Sequence, residues 1–325
     1  HIPLVTIDPV EARDHDDAVW AEADDDPKNP GGWKVMVAIA DVAAYVLPGS
    51  DLDREARLRG NSTYFPDRVV PMLPEALSAG LCSLVPNEDR ACLAVTLWLD
   101  AKGQMKKHKF VRGLMRSQAR LSYGQTQMAR DGQADDESGP LLELVINPLY
   151  QALEAIFMAR TLRQPLDLEL LDLRIKLGSD GHIESVAPQA RLDAHRLVEE
   201  FMIMANVAAG ETLEKRRTPC MYRVHDLPGE EKLTALREFL QTLDLKFAKG
   251  QIVTPAHFNK ILAEVKGTPH EQMVNTIILR SQSQALYSPD NLGHFGLALR
   301  RYAHFTSPIR RYADLLVHRG LIRAL

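Results

Sequence analysis

The sequence predicts an α+β fold, a core sheet wrapped by helices, in a single domain spanning residues 1–325. Two observations carry that reading. Strand-type apolar runs crowd the first third of the chain, and amphipathic helical runs fill the second half. No linker or internal repeat separates the two.

Taken in order, Ile2 to Ile7 reads as a strand, with Ala18 to Ala23 following an acidic loop. Residues 24–32 (DDDPKNPGG) are a solvated turn. Trp33 to Ala40 is almost wholly apolar and reads as a buried strand. Asp51 to Gly60 is a helix that stops at its glycine. Arg90 to Leu99 and His108 to Leu114 are two strands joined by a turn at 101–103. Asp131 to Pro140, polar and acidic, is the best candidate for a mobile loop. Leu141 to Arg163 is one amphipathic stretch, Leu173 to Val186 a hairpin with Ser179-Asp180-Gly181 at its tip, and Arg191 to Lys215 a long helix. Glu230 to Asp244 and His257 to Val265 add shorter helices.

With 45% hydrophobic and 25% charged residues, the composition is that of a globular protein. It holds no run of 18 apolar residues and no basic-then-apolar leader, so a membrane-spanning or secreted class is not expected. Cys82, Cys92 and Cys220 are scattered, without CxxC or zinc spacing, and read as reduced thiols of a cytoplasmic protein. The chain opens at His1 on a strand-like run and stops in a helix-like run, and is read as a piece of a longer protein.

The net charge of −4 hides a strong asymmetry. Residues 1–26 hold nine acids and one arginine, a balance of −8, whereas residues 291–325 hold six arginines and one aspartate, a balance of +5. Meeting in one site, the two ends would serve a metal and a phosphate. At the acidic end stand Asp8, Asp14, Asp16 and Asp17. Carboxylates so close repel one another unless a cation or protons intervene, and Mg²⁺ favours such oxygens while leaving room for a substrate phosphate. One or two ions there would serve a metal nuclease. A solvated acidic turn is the plainer alternative. A calcium loop is not: counted from Asp14, Val19 and Asp25 stand where Gly and Glu are needed.

At the basic end, Ser307 and Pro308 read as the N-cap and first position of a helix running through Leu315 to Ile322. Arg310 and Arg311 then fall in its first turn, where they oppose the helix dipole unless an anion such as phosphate sits there. The alternative is that both pair with acids, Asp314 being within helical reach.

Seven blocks now stand in one order: TIDPVEARDHDDAV (6–19), VAIADV (37–42), STYFPDRVVPMLPEALSAGLCSL (62–84), ARLSY (119–123), AHRLVEEFMIMAN (194–206), YRVHDLP (222–228), and YSPDNLGHFGLAL with YAHFTSPIRRYADLLVHR (287–319). Together they resemble the RNB catalytic domain of the ribonuclease II and ribonuclease R family, over essentially the whole chain. The resemblance implies a central, mostly antiparallel sheet and a processive, Mg²⁺-dependent, hydrolytic 3′→5′ exoribonuclease releasing 5′-nucleoside monophosphates. It implies Asp8, Asp14 and Asp17 as metal ligands, with Asp16 beside them positioning water or phosphate, and Arg310, with Arg311, as phosphate-holding groups. Tyr64 and Tyr123 match aromatics that contact the last bases, and Glu199, Glu200 and His294 match positions near the bound strand.

One departure stands out. The family has a second clamp aromatic where this chain has Leu168, and no aromatic occurs between Phe157 and Phe201. Flanking cold-shock-like and S1-like oligonucleotide-binding domains are expected in the same protein. Alone, this piece should bind the 3′ end of single-stranded RNA weakly and lose it steeply with salt. A monomer is the default. A catalytically silent RNA-binding module is the competing reading, as is a phosphoesterase of small substrates.

Overall fold

The computed structural model describes residues 2–169, 173–178, 180–247 and 252–325. Its elements begin with β1 (Val5–Asp8), β2 (Asp17–Ala23), β3 (Trp33–Ala40) and α1 (Asp51–Arg59). A short hairpin follows, β4 (Thr63–Tyr64) and β5 (Val69–Val70), then a long one, β6 (Asp89–Leu99) and β7 (Met105–Arg116). β8 (Ala119–Ser122) runs straight into α2 (Tyr123–Arg130), which leads to α3 (Asn147–Arg163) and the hairpin β9 (Leu173–Leu177) and β10 (Ile183–Pro188). The remainder is α4 (Asp193–Lys215), β11 (Tyr222–Val224), α5 (Glu230–Gln241), α6 (Pro255–Val265), α7 (Glu271–Ser281), β12 (Leu286–Ser288) and α8 (Tyr312–Ala324).

Six strands form one sheet in the order β7-β6-β3-β2-β1-β8. Every pairing is antiparallel except β1 with β8, which run parallel from Val5↔Ala119 to Asp8↔Ser122. The expected α+β sheet is therefore present. Its central strands read as unbroken apolar runs because both faces are covered. Val5, Ile7, Val19, Val37, Ile39 and Leu93 face a core with Leu149 and Leu153 of α3 and Phe201 and Ala205 of α4. The alternate residues Ala18, Trp20, Ala38, Ala40 and Ala94 face a second core with Met72, Leu73, Leu84, Ile309 and Leu315. A third cluster joins α5, α6 and α7 through Leu236, Phe258, Ile261, Val274 and Ile278, with Leu168 and Phe295 packed against it.

Two glycines meet different demands, one of backbone conformation and one of close packing. Gly60 ends α1 at φ +73°, as its position predicts. Gly103, in the β6–β7 turn, lies so near α3 that a Cβ there would fall 2.1 Å from the Ala155 carbonyl oxygen.

Several sequence expectations need correction. The stretch 141–163 is not one helix: a 3₁₀ turn and a π-helical turn (Leu142–Ile146) precede α3, because Pro148 cannot donate to the carbonyl four residues back. Among the described residues, Gly139–Arg163 is the one helical stretch long and apolar enough to cross a membrane by composition. Its Leu149, Tyr150, Leu153 and Ile156 are instead buried in the main core. Residues 131–140 fold back on themselves: Ser138 Oγ donates to Asp135 Oδ1 at 2.6 Å, and Gln125 Nε2 reaches the same carboxylate at 3.1 Å. The β9–β10 hairpin is present, with the expected tip residue Ser179 outside the described residues. Two helices went unforeseen. α2 carries a legible signal, the reciprocal Ser122–Gln125 capping box, and α7 carries no comparable cap. Finally, Ser307-Pro308 does not start the last helix, which begins five residues later at Tyr312.

Candidate active site

β1 ends on Asp8 and β2 begins on Asp17, and because these strands are antiparallel neighbours the two carboxylates meet at one end of the sheet. The loop between them is tied down from several sides. Ser83 Oγ accepts the His15 N–H at 3.0 Å and donates to the Arg13 carbonyl at 2.8 Å. The Leu84 N–H donates to the His15 carbonyl, and the Ala40 N–H to that of Asp16. Buried His15 contacts Asp8 through Nδ1 and Oδ2 at 2.6 Å. Asp14 accepts the Tyr64 hydroxyl at 2.9 Å.

Asp16 points inward and is 4% exposed. Its Oδ1 accepts the Ile309 N–H at 2.9 Å, while Oδ2 lies 3.4 Å from Arg310 Nε and has no hydrogen-bond partner. Burial pushes its carboxyl up to about 7, against the lowering influence of Arg310. Asp17 keeps some solvent contact but is crowded by protein. Burial, then Asp8 and Asp16, hold its carboxyl well above the usual range.

This explains the displaced start of α8. Residues 308–310 form a turn whose Ile309 N–H is taken by Asp16, a partner from the other end of the chain. Arg310 and Arg311 therefore precede the helix, and no basic first turn awaits an anion. Arg311 instead grips Asp314 through Nε at 2.8 Å and Nη2 at 2.7 Å, the pairing the sequence left open. Fully buried Asp314 also accepts the Ser307 N–H at 2.8 Å. Arg310 Nη2 donates to Ser307 Oγ at 2.9 Å and its Nε faces Asp16, while the side chain stays 45% exposed.

A cleft of about 1010 Å³ opens here, lined by all four aspartates, Tyr64, Tyr123, Glu199, Arg310 and Arg311. Tyr64 reaches it because residues 60–62 are bonded to residues 310–312: the Ser62 N–H donates to the Arg310 carbonyl, and the Tyr312 N–H to that of Gly60. Tyr123 stacks on His195 with centroids 4.1 Å apart. Burial, then the charges of Asp17 and Asp8, raise its phenol.

The other anticipated residues divide. Glu199 lines the cleft and is ion-paired with Arg191. Glu200 turns away, 3% exposed, to Arg160 at 2.9 Å and Arg163 at 3.5 Å on α3, so it is neither in this cleft nor on a solvated helix face. His294 is set outside the lining of the cleft, edge-on to Tyr302 at 5.3 Å and to His225 at 5.2 Å. Leu168 borders a neighbouring cavity of about 720 Å³ with Phe157, and Glu199 is shared by both spaces. Tyr302, His304, Thr306 and Asn206 also line the cleft. Sequence reading passed over them, although three lie in the same HFTSPIRR neighbourhood that supplied Arg310.

Can these residues hold a metal? Among the described residues, no three His, Cys, Asp or Glu side chains converge into a ready coordination group. The donor chemistry nonetheless suits a hard cation: Asp16 Oδ2 is sealed without a hydrogen bond, and the Asp17 carboxyl is raised by burial and then by its own carboxylate neighbours.

The RNB domain family matches the chain over residues 1–325. Ribonuclease R of Vibrio cholerae is 44% identical over 321 residues, which cover 98% of this chain and 39% of that protein. The chain thus spans less than half the length of the curated relatives it matches. Among solved structures, Mycoplasma genitalium RNase R in complex with ribose methylated single-stranded RNA superposes with a TM-score of 0.93 at 31% identity, covering 98% of this chain and 49% of that one. Yeast Ssd1, described as a pseudonuclease, has the same fold at a TM-score of 0.77 and 20% identity, so the fold by itself does not imply cleavage.

Proposed function

The chain belongs to the RNB domain family, and from that premise we propose that it is the catalytic part of a Mg²⁺-dependent exoribonuclease. It hydrolyses single-stranded RNA processively from the 3′ end and releases 5′-nucleoside monophosphates. The observation that carries this is the meeting of Asp8, Asp14, Asp16, Asp17 and Arg310 around one cleft with Tyr64 and Tyr123 on its walls. The fold alone does not separate this reading from a silent module, and the intact acidic set is what favours cleavage.

In this reading Asp8, Asp14 and Asp17 hold the metal and Asp16 helps place the reacting groups. The metal, when bound, lowers the pKa of water and offsets charge on the phosphate oxygens. The chain's own groups do the rest. Arg310, free on its outer side, grips the scissile phosphate, and Arg311, already paired with Asp314, adds a positive field without leaving its place. Tyr64 and Tyr123 stack terminal bases, an interaction tolerant of sequence. Glu199, which lines both cavities, accepts from a ribose hydroxyl in this reading. Oligonucleotide-binding folds elsewhere in the same protein would deliver the strand. The buried, free Cys82, Cys92 and Cys220 suit the reducing cytoplasm.

The decisive assay digests a 5′-labelled single-stranded RNA with Mg²⁺, beside Asp16→Asn. A ladder shortening from the 3′ end in the wild type, and absent in the variant, is the expected result. RNA that is bound and left intact by the wild type would favour the silent module.

A further inference from the structure

His304 lies in the cleft between Tyr302 and Thr306, and no role considered so far uses it. Its Nδ1 is engaged by the Tyr287 hydroxyl at 2.8 Å. Its ring sits edge-on to Tyr287 and to Tyr302, both with centroids 5.5 Å away. Those neighbours are themselves fixed. Tyr302 is buried and its hydroxyl accepts from Asn206 Nδ2 at 3.1 Å. Tyr287 pairs across β11–β12 with Arg223, whose guanidinium stands 4.7 Å over its ring. The imidazole is therefore held in one orientation. Among the described residues Nε2 has no protein hydrogen bond, and it is not one of the sealed polar atoms, so it keeps solvent contact on a residue that lines the cleft.

Burial, then the charge of Arg311, pushes His304 down to about 3, so the ring is neutral at physiological pH. Burial raises the Tyr287 phenol, which keeps its proton. Where a phenol meets a neutral imidazole, the O–H is the better donor and the ring nitrogen the better acceptor. Nδ1 accepts from Tyr287, and the ring proton is left on Nε2.

The geometry points to His304 as a substrate-contacting residue: its Nε2–H donates a hydrogen bond to an oxygen of the RNA sugar–phosphate backbone, in the tautomer set by Tyr287. This rests on the RNA-cleaving reading above. A neutral donor has a signature that an arginine lacks. It adds affinity without releasing a counterion, so its loss leaves the salt dependence of binding untouched.

The test measures the Kd of a 5′-labelled single-stranded RNA in EDTA over a range of salt concentrations, with kcat and KM measured in Mg²⁺. His304→Ala is expected to weaken binding roughly tenfold at every salt concentration, with the wild-type slope of log Kd against log salt. Arg310→Ala should make that slope shallower by about one. His304→Gln, which keeps an N–H donor, should recover most of the affinity. Tyr287→Phe should weaken binding by less than His304→Ala, and the double variant should be no worse than His304→Ala alone. Single 2′-deoxy or methylphosphonate positions near the 3′ end then identify the oxygen, because the His304→Ala penalty vanishes on the substrate already lacking it. An unchanged Kd in His304→Ala, a shifted salt slope, or additive losses in the double variant would overturn the inference. A wild type that neither binds nor shortens RNA sinks the functional reading and this inference with it. A wild type that does both, with His304→Ala unchanged, sinks this inference alone.

Discussion

The acidic loop 8–17 and the basic segment 304–314 meet in the same cleft, yet they are held in opposite ways. In the basic segment needs are met internally: Arg311 and the Ser307 N–H share fully buried Asp314, and Arg310 leans on Ser307. In the acidic loop they are met only in part: Asp16 Oδ2 has no hydrogen bond and only the 3.4 Å ion pair with Arg310, and Asp17 is raised by burial and by its fellow carboxylates. A region whose charges are already paired is scaffold as well as site, and its loss costs stability. A region left electrostatically unfinished is finished by a ligand, and its loss costs function.

The widest separation between the two should come from Asp16→Asn. The amide oxygen can still accept from the Ile309 N–H, so the turn stays in place while the charge is lost. Exonuclease rate should fall by roughly 10²–10³-fold, the scale seen when one preorganised electrostatic contact is removed from a reacting centre. In chelator at pH 8 the thermal midpoint should nevertheless rise, since a buried charge with an unmet oxygen is gone. An inactive variant that is also less stable would erase the proposed contrast.

On the other side, Asp314→Ala should behave conversely. It leaves the buried Ser307 N–H without its acceptor and the part-exposed Arg311 guanidinium unpaired, against about 3–5 kcal/mol for breaking a fully buried pair, so a loss of up to that size is expected. Denaturant unfolding should register that loss, and whatever activity remains should scale with the folded fraction. A folded protein of wild-type stability would show that the Asp314 pairing is not structural.

A pH series tests the unfinished half directly. Asp16 in the folded protein titrates near 7, above the ordinary 3.8, so the folded state holds a proton that the unfolded state has released. The associated stability is present at low pH and is lost as pH rises from about 4 through 7. In chelator, stability should therefore decline over that window, and Mg²⁺ should flatten the decline by rewarding the ionised form. A curve indifferent to Mg²⁺ would count against a cation in this loop.

The same division separates what was legible in the sequence from what was not. The sheet was readable because Trp33–Ala40 and its neighbours carry an apolar pattern whose period is local. The aspartates were readable because they sit within ten residues, on two strand ends that antiparallel pairing brings together. The start of α8 was not, because Ser307-Pro308 is a good local helix signal overruled by an acceptor 293 residues away. Glu200 misled for a related reason: beside Glu199 it looks like half of a pair, but Arg160 and Arg163 come from α3. His304 was visible within its motif, yet its use depends on Tyr287, a partner that only folding supplies. Charges were legible wherever a motif clustered them. Which of them would find partners was not, because the partners lie far off in sequence.

The smallest effect sharpens the comparison at its boundary. Tyr64 spans the two regions: its strand is hung from residues 310–312, while its hydroxyl donates to Asp14 in the loop. If Tyr64 works by stacking, Tyr64→Phe keeps the ring and should change KM for single-stranded RNA less than threefold, whereas Tyr64→Ala should weaken binding by about 1–3 kcal/mol. The lost hydroxyl should appear elsewhere. Asp14 would be left exposed to its neighbours with one donor fewer, so a higher Mg²⁺ concentration should be needed for half-maximal rate, by a few-fold, in keeping with a hydrogen bond worth roughly 1 kcal/mol. If Tyr64→Phe instead raised KM as much as Tyr64→Ala, the ring would be incidental and the hydroxyl the working part. The tyrosine would then belong with the acidic loop it touches, and not with the segment that carries it.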